Sequence, residues 1–427
     1  MYNVIQWVFL AIFFPVLALM VLVKRKYRGR ILFRLGFGID HCARSLSTGT
    51  PVIWIHALSV GEVSSCQTLV KAIRNAYPRG TVILSTTTRS GEAYARNILA
   101  GSVDLFLPYP LDILWSVRRV VSRIRPDLFI LVETDFWPNL LHELKIRGIP
   151  SILVNGRISA DSFTRYKRFK WFFLPMFKAF KLITMQTEND CNNMIELGVD
   201  RHKVLKLGNL KFDAVMPGDL SGQIKDRSSF GIPDHKTVIV AGSTHAGEEE
   251  IILRVFRKLI TEFPDLFLII APRNVERGKP VTLLARQEGF IASRRQEPML
   301  AGGNLLVLDT LGELAGVYSF CDIAFVGGSL VQQGGHNPLE PAVFGKPVLF
   351  GPDMNDFLEI AQGLLNCAGA LLTRDEAELF EVAHRLLKDK KMREEMGRHA
   401  AALVAEQRGV TARHVEMLQT IMGEADN

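Results

Sequence analysis

Ile323-Ala324-Phe325-Val326-Gly327-Gly328-Ser329, followed a short way on by Gly334-Gly335-His336-Asn337-Pro338-Leu339-Glu340-Pro341, reads as strand, flexible loop and helix start. Asn337 fits an N-cap, Pro338 fits the first helical position, and Glu340 sits where it could close a capping box. Such a start offers free backbone N–H groups and the positive end of a helix dipole. Beside the glycines Gly327 and Gly328 and the small Ser329, that makes a phosphate site. A second reading stays open, in which the glycines only form a turn ahead of a well-capped helix. Glu340, one turn in, could also accept hydrogen bonds from a ribose diol.

The same strand-then-loop pattern repeats outward from this stretch. Upstream, the strand candidate 238–241 runs into Gly242-Ser243-Thr244-His245 and the acidic Gly247-Glu248-Glu249-Glu250, and the candidate 267–271 runs into Pro272-Arg273-Asn274. Ser243 could line the same pocket, and the fixed charge of Arg273 could hold a phosphate or an anionic sugar. An ordinary surface arginine is the alternative. Further candidates lie at 290–293, 305–308, 347–350 and 370–372, and an earlier series at 52–56, 81–85, 104–107, 128–133, 151–155, 182–186 and 204–207. Helical patterns separate nearly all of them. The apolar runs are continuous, as in parallel strands covered on both faces.

At 427 residues the chain exceeds the size of one core. The pattern lapses over 214–236, a Gly-, Pro- and charge-rich stretch read as a linker. The domains predicted around it are 35–213 and 237–427, with a last helix near 411–422 that could cross back to the first. Tandem doubly wound sheets imply a cleft, with ligands at the carboxyl ends of strands.

Residues 1–34 form a separate unit in this reading. Residues 4–23 are apolar except for Gln6 and Pro15, which is long enough to span a bilayer. Lys24, Arg25, Lys26, Arg28, Arg30 and Arg34 follow, which places the rest of the chain on the cytoplasmic side. A helix lying in the interface is the alternative. The formal net charge of +7 implies an anionic partner. The segment 165–181 mixes Arg165, Lys167, Arg168 and Lys170 with Phe169, Trp171 and Phe172, which suits an anionic membrane surface; an ordinary amphipathic helix is the other reading. No nucleic-acid motif is present. The five cysteines form no CxxC pair or metal-spaced cluster, so reduced thiols and no structural metal are expected.

In the first half, Ser59-Val60-Gly61-Glu62 follows a strand and opens a helix. Glu62 could be a general base for an acceptor hydroxyl, or could simply complement the helix dipole. Glu133-Thr134-Asp135-Phe136-Trp137-Pro138-Asn139 is a second strand-to-helix turn, suited to sugar binding or to helix capping by Asp135 or Asn139. Glu133 and Glu62 end strands on the same side of one sheet and could share base and orientation roles.

These residues, with Asn155-Gly156-Arg157 and Gly208-Asn209-Leu210-Lys211-Phe212-Asp213, resemble the Kdo (3-deoxy-D-manno-octulosonic acid) transferase family, glycosyltransferase family 30, over essentially the whole chain. The resemblance implies a GT-B fold of two Rossmann-like domains, an acceptor domain and a nucleotide-sugar domain, behind a membrane anchor at the inner (plasma) membrane. It also implies inverting transfer of Kdo from CMP-Kdo to a lipid A precursor (lipid IVA), with no metal or other cofactor. On this basis Glu62 is expected as catalytic base, and Ser59, Gly61, Glu133 and Arg157 as acceptor or orientation residues. Lys211, Ser243, Pro272, Arg273, Asn274, Gly327, Gly328, Ser329, Asn337 and Glu340 are expected on the donor. Asn274 departs from the family, which often has histidine after the Pro-Arg pair. A GT-B transferase using a UDP-sugar and an inactive nucleotide-sugar-binding membrane protein are the alternatives. Oligomeric state is not legible.

Overall fold

Continuous apolar runs become buried parallel strands, as expected where both faces of a sheet are covered. The computed structural model describes residues 2, 3, 6, 25–40, 50–214 and 226–425. The chain divides into two units, residues 1–214 with 409–427, and residues 215–408.

In the first unit β1 (Val52–His56), β2 (Thr81–Thr86), β3 (Leu105–Pro108), β4 (Leu128–Val132), β5 (Ser151–Gly156), β6 (Leu182–Met185) and β7 (Val204–Lys206) form one parallel sheet in the order β3-β2-β1-β4-β5-β6-β7. Successive residues of a strand face opposite sides. Trp54 and Phe129 accordingly enter one core, and Ile53, Ile55, Leu128 and Ile130 enter the other. The helix Val60–Ala76 covers the second core with Val63, Leu69, Val70 and Ile73.

The last helix, Val410–Ala425, packs on Val60–Ala76 through Val410, Leu418 and Ile421. Its start is tied down by Asp213, whose carboxylate accepts from Gly409 N at 2.9 Å and Thr411 N at 2.6 Å. His414 adds a buried contact, its Nε2 lying 2.9 Å from Thr184 Oγ1 while Nδ1 donates to Val410 O at 2.8 Å. Asp213→Ala is expected to lower stability by about 1–2 kcal/mol, the usual size of a lost cap, measured by denaturant unfolding.

In the second unit β8 (Thr237–Thr244), β9 (Leu266–Pro272), β10 (Ala292–Arg294), β11 (Leu305–Val307), β12 (Ile323–Val326), β13 (Val348–Phe350) and β14 (Ala370–Leu372) form a parallel sheet in the order β10-β11-β9-β8-β12-β13-β14. The strand order reverses direction between β8 and β12, and ligands of such sheets bind outside the carboxyl ends there. The stretch read as linker is shorter than expected at its far end. Arg227–Phe230 forms a 3-10 turn, and Phe230 and Ile232 are buried in the core of the second unit. Residues 215–225 of it lie outside the described residues.

The anchor expected at 4–23 likewise lies outside the described residues except for Gln6. Among the described residues no helix is long and apolar enough to cross a membrane. Of the flanking charges, Arg30 and Arg34 turn inward and serve the fold. Arg30 pairs with Glu92 at 2.7 Å, and Arg34 Nε donates to Tyr109 O at 2.8 Å.

Candidate active site

Three segments at the carboxyl ends of β1, β4 and β5 build the site in the first unit. Ser59 is the N-cap of Val60–Ala76, with extended backbone and no capping bond from its side chain, and Gly61 is exposed. Glu62, in the first turn, is only 6% exposed, and Leu58 N donates to its Oε2. Burial, then the facing Glu133 carboxylate, push the Glu62 carboxyl up to about 8, against the opposing influence of the Leu58 bond and Arg157. Arg157 itself is exposed.

Glu133 is held from two sides. Ser65 Oγ lies 3.1 Å and Asn155 Nδ2 3.0 Å from its Oε1. Asn155 Oδ1 in turn accepts from Leu210 N at 2.9 Å, and Gln186 joins Asn155 O to Asn209 at 2.9 and 2.7 Å. Glu133 therefore sits in a polar network that reaches the Gly208–Asp213 loop, and Ser65 Oγ ties it to the backbone carbonyl of Glu62 at 2.9 Å. Lys211 belongs to this loop of the first unit. Glu133, Asp135 and Asn155 have φ of +60°, +82° and +57°. Left-handed backbone at non-glycine residues is costly and tends to gather at functional sites.

His56, at the end of β1, is a buried residue for which the sequence offered no role. It is fully buried and stacks on Tyr109 with ring centroids 3.5 Å apart. Its Nδ1 lies 3.0 Å from Ser85 Oγ, which accepts from Trp54 Nε1 at 2.8 Å, and its Nε2 lies 3.0 Å from Asp135 Oδ2. Burial lowers the His56 pKa. Nδ1 also lies 3.0 Å from Ser85 O, so the ring bridges Ser85 and Asp135 and extends the chain that begins at Trp54. Burial alone would raise the Asp135 carboxyl, but the hydrogen bond from His56 holds it below its usual value. The relay fixes the strained loop that carries Glu133.

The helix Pro138–Ile146 is not capped by Asp135 or Asn139. Its N-cap is Trp137, and the free N–H groups of Asn139 and Leu140 donate to Asp112 at 3.0 and 2.9 Å. A carboxylate from another loop has replaced a local cap.

The second unit corrects the reading of the glycine loop. The helix there is one turn, Leu339–Ala342, with Pro338 as N-cap; Asn337 Oδ1 accepts from Leu339 N at 3.1 Å, and no capping box forms. The N–H groups of Gly328 and Ser329 are not free, since both donate to Glu248 at 2.7 and 3.0 Å. Ser329 is fully buried, its hydroxyl donating to Val326 O and accepting from Gly351 N at 2.8 Å, which makes it a bracket between two loops. Gly327 has no room for a side chain, because a Cβ would lie 2.5 Å from Ser243 O. Asn274 spends its side chain on its own turn, accepting from Glu276 N at 3.0 Å.

Groups able to meet a ligand remain around these loops. Arg273 is exposed beyond the buried Pro272, and Ser243 is half-buried with φ of +57°. Glu340 is half-buried; the surrounding protein pushes its carboxyl up to about 7, with Arg273 and Asn337 opposing. His245 and His336, also not singled out from sequence, lie with Nε2 atoms 2.8 Å apart. Burial lowers both, His336 to about 4, so one neutral ring donates to the other. Among the described residues no group of three or more His, Cys, Asp or Glu side chains is placed to hold a metal ion, and Cys66, Cys191, Cys321 and Cys367 are free thiols.

The fold is shared with sugar-nucleotide enzymes. The UDP-GlcNAc 2-epimerase of Neisseria meningitidis matches with a TM-score of 0.61 at 16% identity, covering 86% of this chain and 99% of the epimerase. MurG of Acinetobacter baumannii matches with a TM-score of 0.57 at 13% identity, again covering 86% and 99%. Two parallel-sheet α/β units with such neighbours define a protein of the GT-B fold class. The family model "3-Deoxy-D-manno-octulosonic-acid transferase (kdotransferase)" matches residues 30–214. The 3-deoxy-D-manno-octulosonic acid transferase of Haemophilus influenzae is 36% identical over 398 residues, 92% of each chain, and that of Rickettsia bellii is 30% identical over 400 residues, also 92% of each. The chain belongs to the 3-deoxy-D-manno-octulosonic acid transferase family, a family of glycosyltransferases.

Proposed function

We propose that this protein transfers Kdo from CMP-Kdo to a lipid A precursor, with Glu62 as the general base that takes the proton of the acceptor hydroxyl as its oxygen attacks the anomeric carbon. The observation that carries this reading is the buried Glu62 carboxyl raised to about 8 at the carboxyl end of the first sheet. A base of that strength suits a hydroxyl near neutral pH. Glu133, held by Ser65 and Asn155, strengthens it by like-charge repulsion. Ser59, Gly61 and the exposed Arg157 line the acceptor side in this reading.

The donor is held by the second unit. Arg273 meets its phosphate, Glu340 and Asn337 its sugar hydroxyls, and Ser243 lies beside them. CMP departs as the glycosidic bond forms, and the guanidinium of Arg273 stabilises the charge left on its phosphate. Attachment to the membrane through residues 4–23 belongs to the same reading. The exposed Phe169 and Trp171, among Arg165, Lys167, Arg168 and Lys170, supply a basic aromatic surface suited to anionic lipid.

The test is transfer from CMP-Kdo, generated in situ, to tetraacylated lipid A precursor by the full chain in membranes. Product supports the reading; no product, with turnover of a UDP-sugar instead, overturns it. Arg273→Ala is expected to weaken CMP binding by roughly 10- to 100-fold, the size of a lost charge-assisted contact to phosphate, read by calorimetry with the fold unchanged.

A further inference from the structure

Four backbone N–H groups of the second unit converge on one side chain. Glu248 accepts from His245 N at 3.0 Å and Gly328 N at 2.7 Å on Oε2, and from Ser329 N at 3.0 Å and Leu330 N at 2.9 Å on Oε1. It is fully buried. The carboxylate reaches from the helix after β8 into the loop after β12, the two strands between which the sheet order reverses. Converging N–H groups in a glycine turn form an anion nest, and this is the place in such a sheet where a nucleotide phosphate would use one. Gly328 supplies the required left-handed turn with φ of +70°.

The nest is closed as well as filled. His336 roofs Gly328 so closely that a Cβ there would lie 3.0 Å from its ring, and His336 is itself bonded to His245 at 2.8 Å. Ser329 is braced by Gly351 N at 2.8 Å. A ligand phosphate could reach these amides only by expelling Glu248 and lifting His336. Nearby cationic capacity is small: of the two arginines that follow β9, Arg277 is committed to Glu249 at 3.1 Å, which leaves Arg273. One guanidinium suits one phosphate.

We infer that Glu248 determines donor specificity: by filling the anion nest between β8 and β12 with a protein carboxylate, it lets the unit accept a nucleoside monophosphate group and reject one carrying a second phosphate. A diphosphate entering here would place its extra charge against Glu248 without amides to receive it. The inference rests on the nucleotide-sugar reading proposed above and adds what selects among nucleotides.

The experiment compares CMP with CDP, which share base and ribose, on the full chain by calorimetry. The wild type should bind CMP at least roughly 10-fold more tightly than CDP. Glu248→Ala should narrow or reverse that ratio, and inorganic phosphate should raise its Tm, by refilling the nest, without raising that of the wild type. Glu248→Gln, which removes charge at constant size, should narrow the ratio in the same direction and decides the matter if the alanine variant does not fold. Equal or tighter binding of CDP by the wild type overturns the inference, as does an unchanged ratio in whichever variant is folded. Absence of binding for both nucleotides fails differently, since it removes the donor reading itself.

Discussion

Glu62→Gln should lower transfer by roughly 10²- to 10⁴-fold, the range of general-base contributions, in a protein that stays folded. Gln keeps the shape and can still accept from Leu58 N, but it cannot take the acceptor's proton. Burial and the neighbouring Glu133 set the Glu62 carboxyl near 8, so wild-type kcat/KM should rise with pH and level off above about 8. Glu133→Gln removes the repulsion and should move that rise to lower pH. A kcat/KM profile in which Glu133→Gln leaves the rise in place would show that Glu133 does not act on Glu62.

The same group predicts an effect on stability. Its folded-state carboxyl lies above the ordinary 4.5, so folding favours the protonated form. The stability it contributes is fully present below about 4.5 and is lost as pH climbs through about 8. Glu62→Gln should therefore unfold at higher temperature than the wild type at alkaline pH, with the difference shrinking toward acid pH. A variant that gains stability while losing turnover would mark Glu62 as a group kept for chemistry at the expense of the fold.

His56→Ala is expected to cost about 3–5 kcal/mol, the range for emptying a packed site and stranding buried polar partners. The ring is fully buried and stacked on Tyr109, and its removal takes one buried partner each from Ser85 and Asp135, leaving Trp54 on the first and Thr87 on the second. Asp135 stands at φ of +82° two residues after Glu133, so the loop should relax and transfer should fall as well. Asp135→Asn, which can still accept from Nε2–H, should retain most of the stability. Denaturant midpoints for the two variants separate lost packing from a lost ion pair; equal losses would assign the whole cost to the contact between His56 and Asp135.

The strands were legible because a parallel strand buried on both faces needs an apolar run, and among the described residues each of the fourteen strands overlaps a run read from sequence, although β7 is buried only at Val204. Glu62 and Glu133 were legible because each follows a strand, and parallel strands carry the segments after their carboxyl ends to one edge of the sheet. Hydrogen-bond partners were not. Asn337-Pro338-Leu339-Glu340 has the spacing of a capping box, yet Asn337 turns to Leu339 N and the helix stops after one turn. Asp135 and Asn139 have the composition of caps, yet Asp112 supplies the cap from another loop.

Sequence by itself determined which segments are strands, which residues stand at their carboxyl ends and which family the motifs resemble, because apolar periodicity and short-range spacing are properties of the chain alone. Tertiary structure decided what those end residues do: that Glu248 fills the glycine loop, that His56 holds Asp135, and that the last helix belongs to the first unit. Buried amides and carboxylates must be paired, and the partner is whichever group the packing of distant elements brings within about 3 Å.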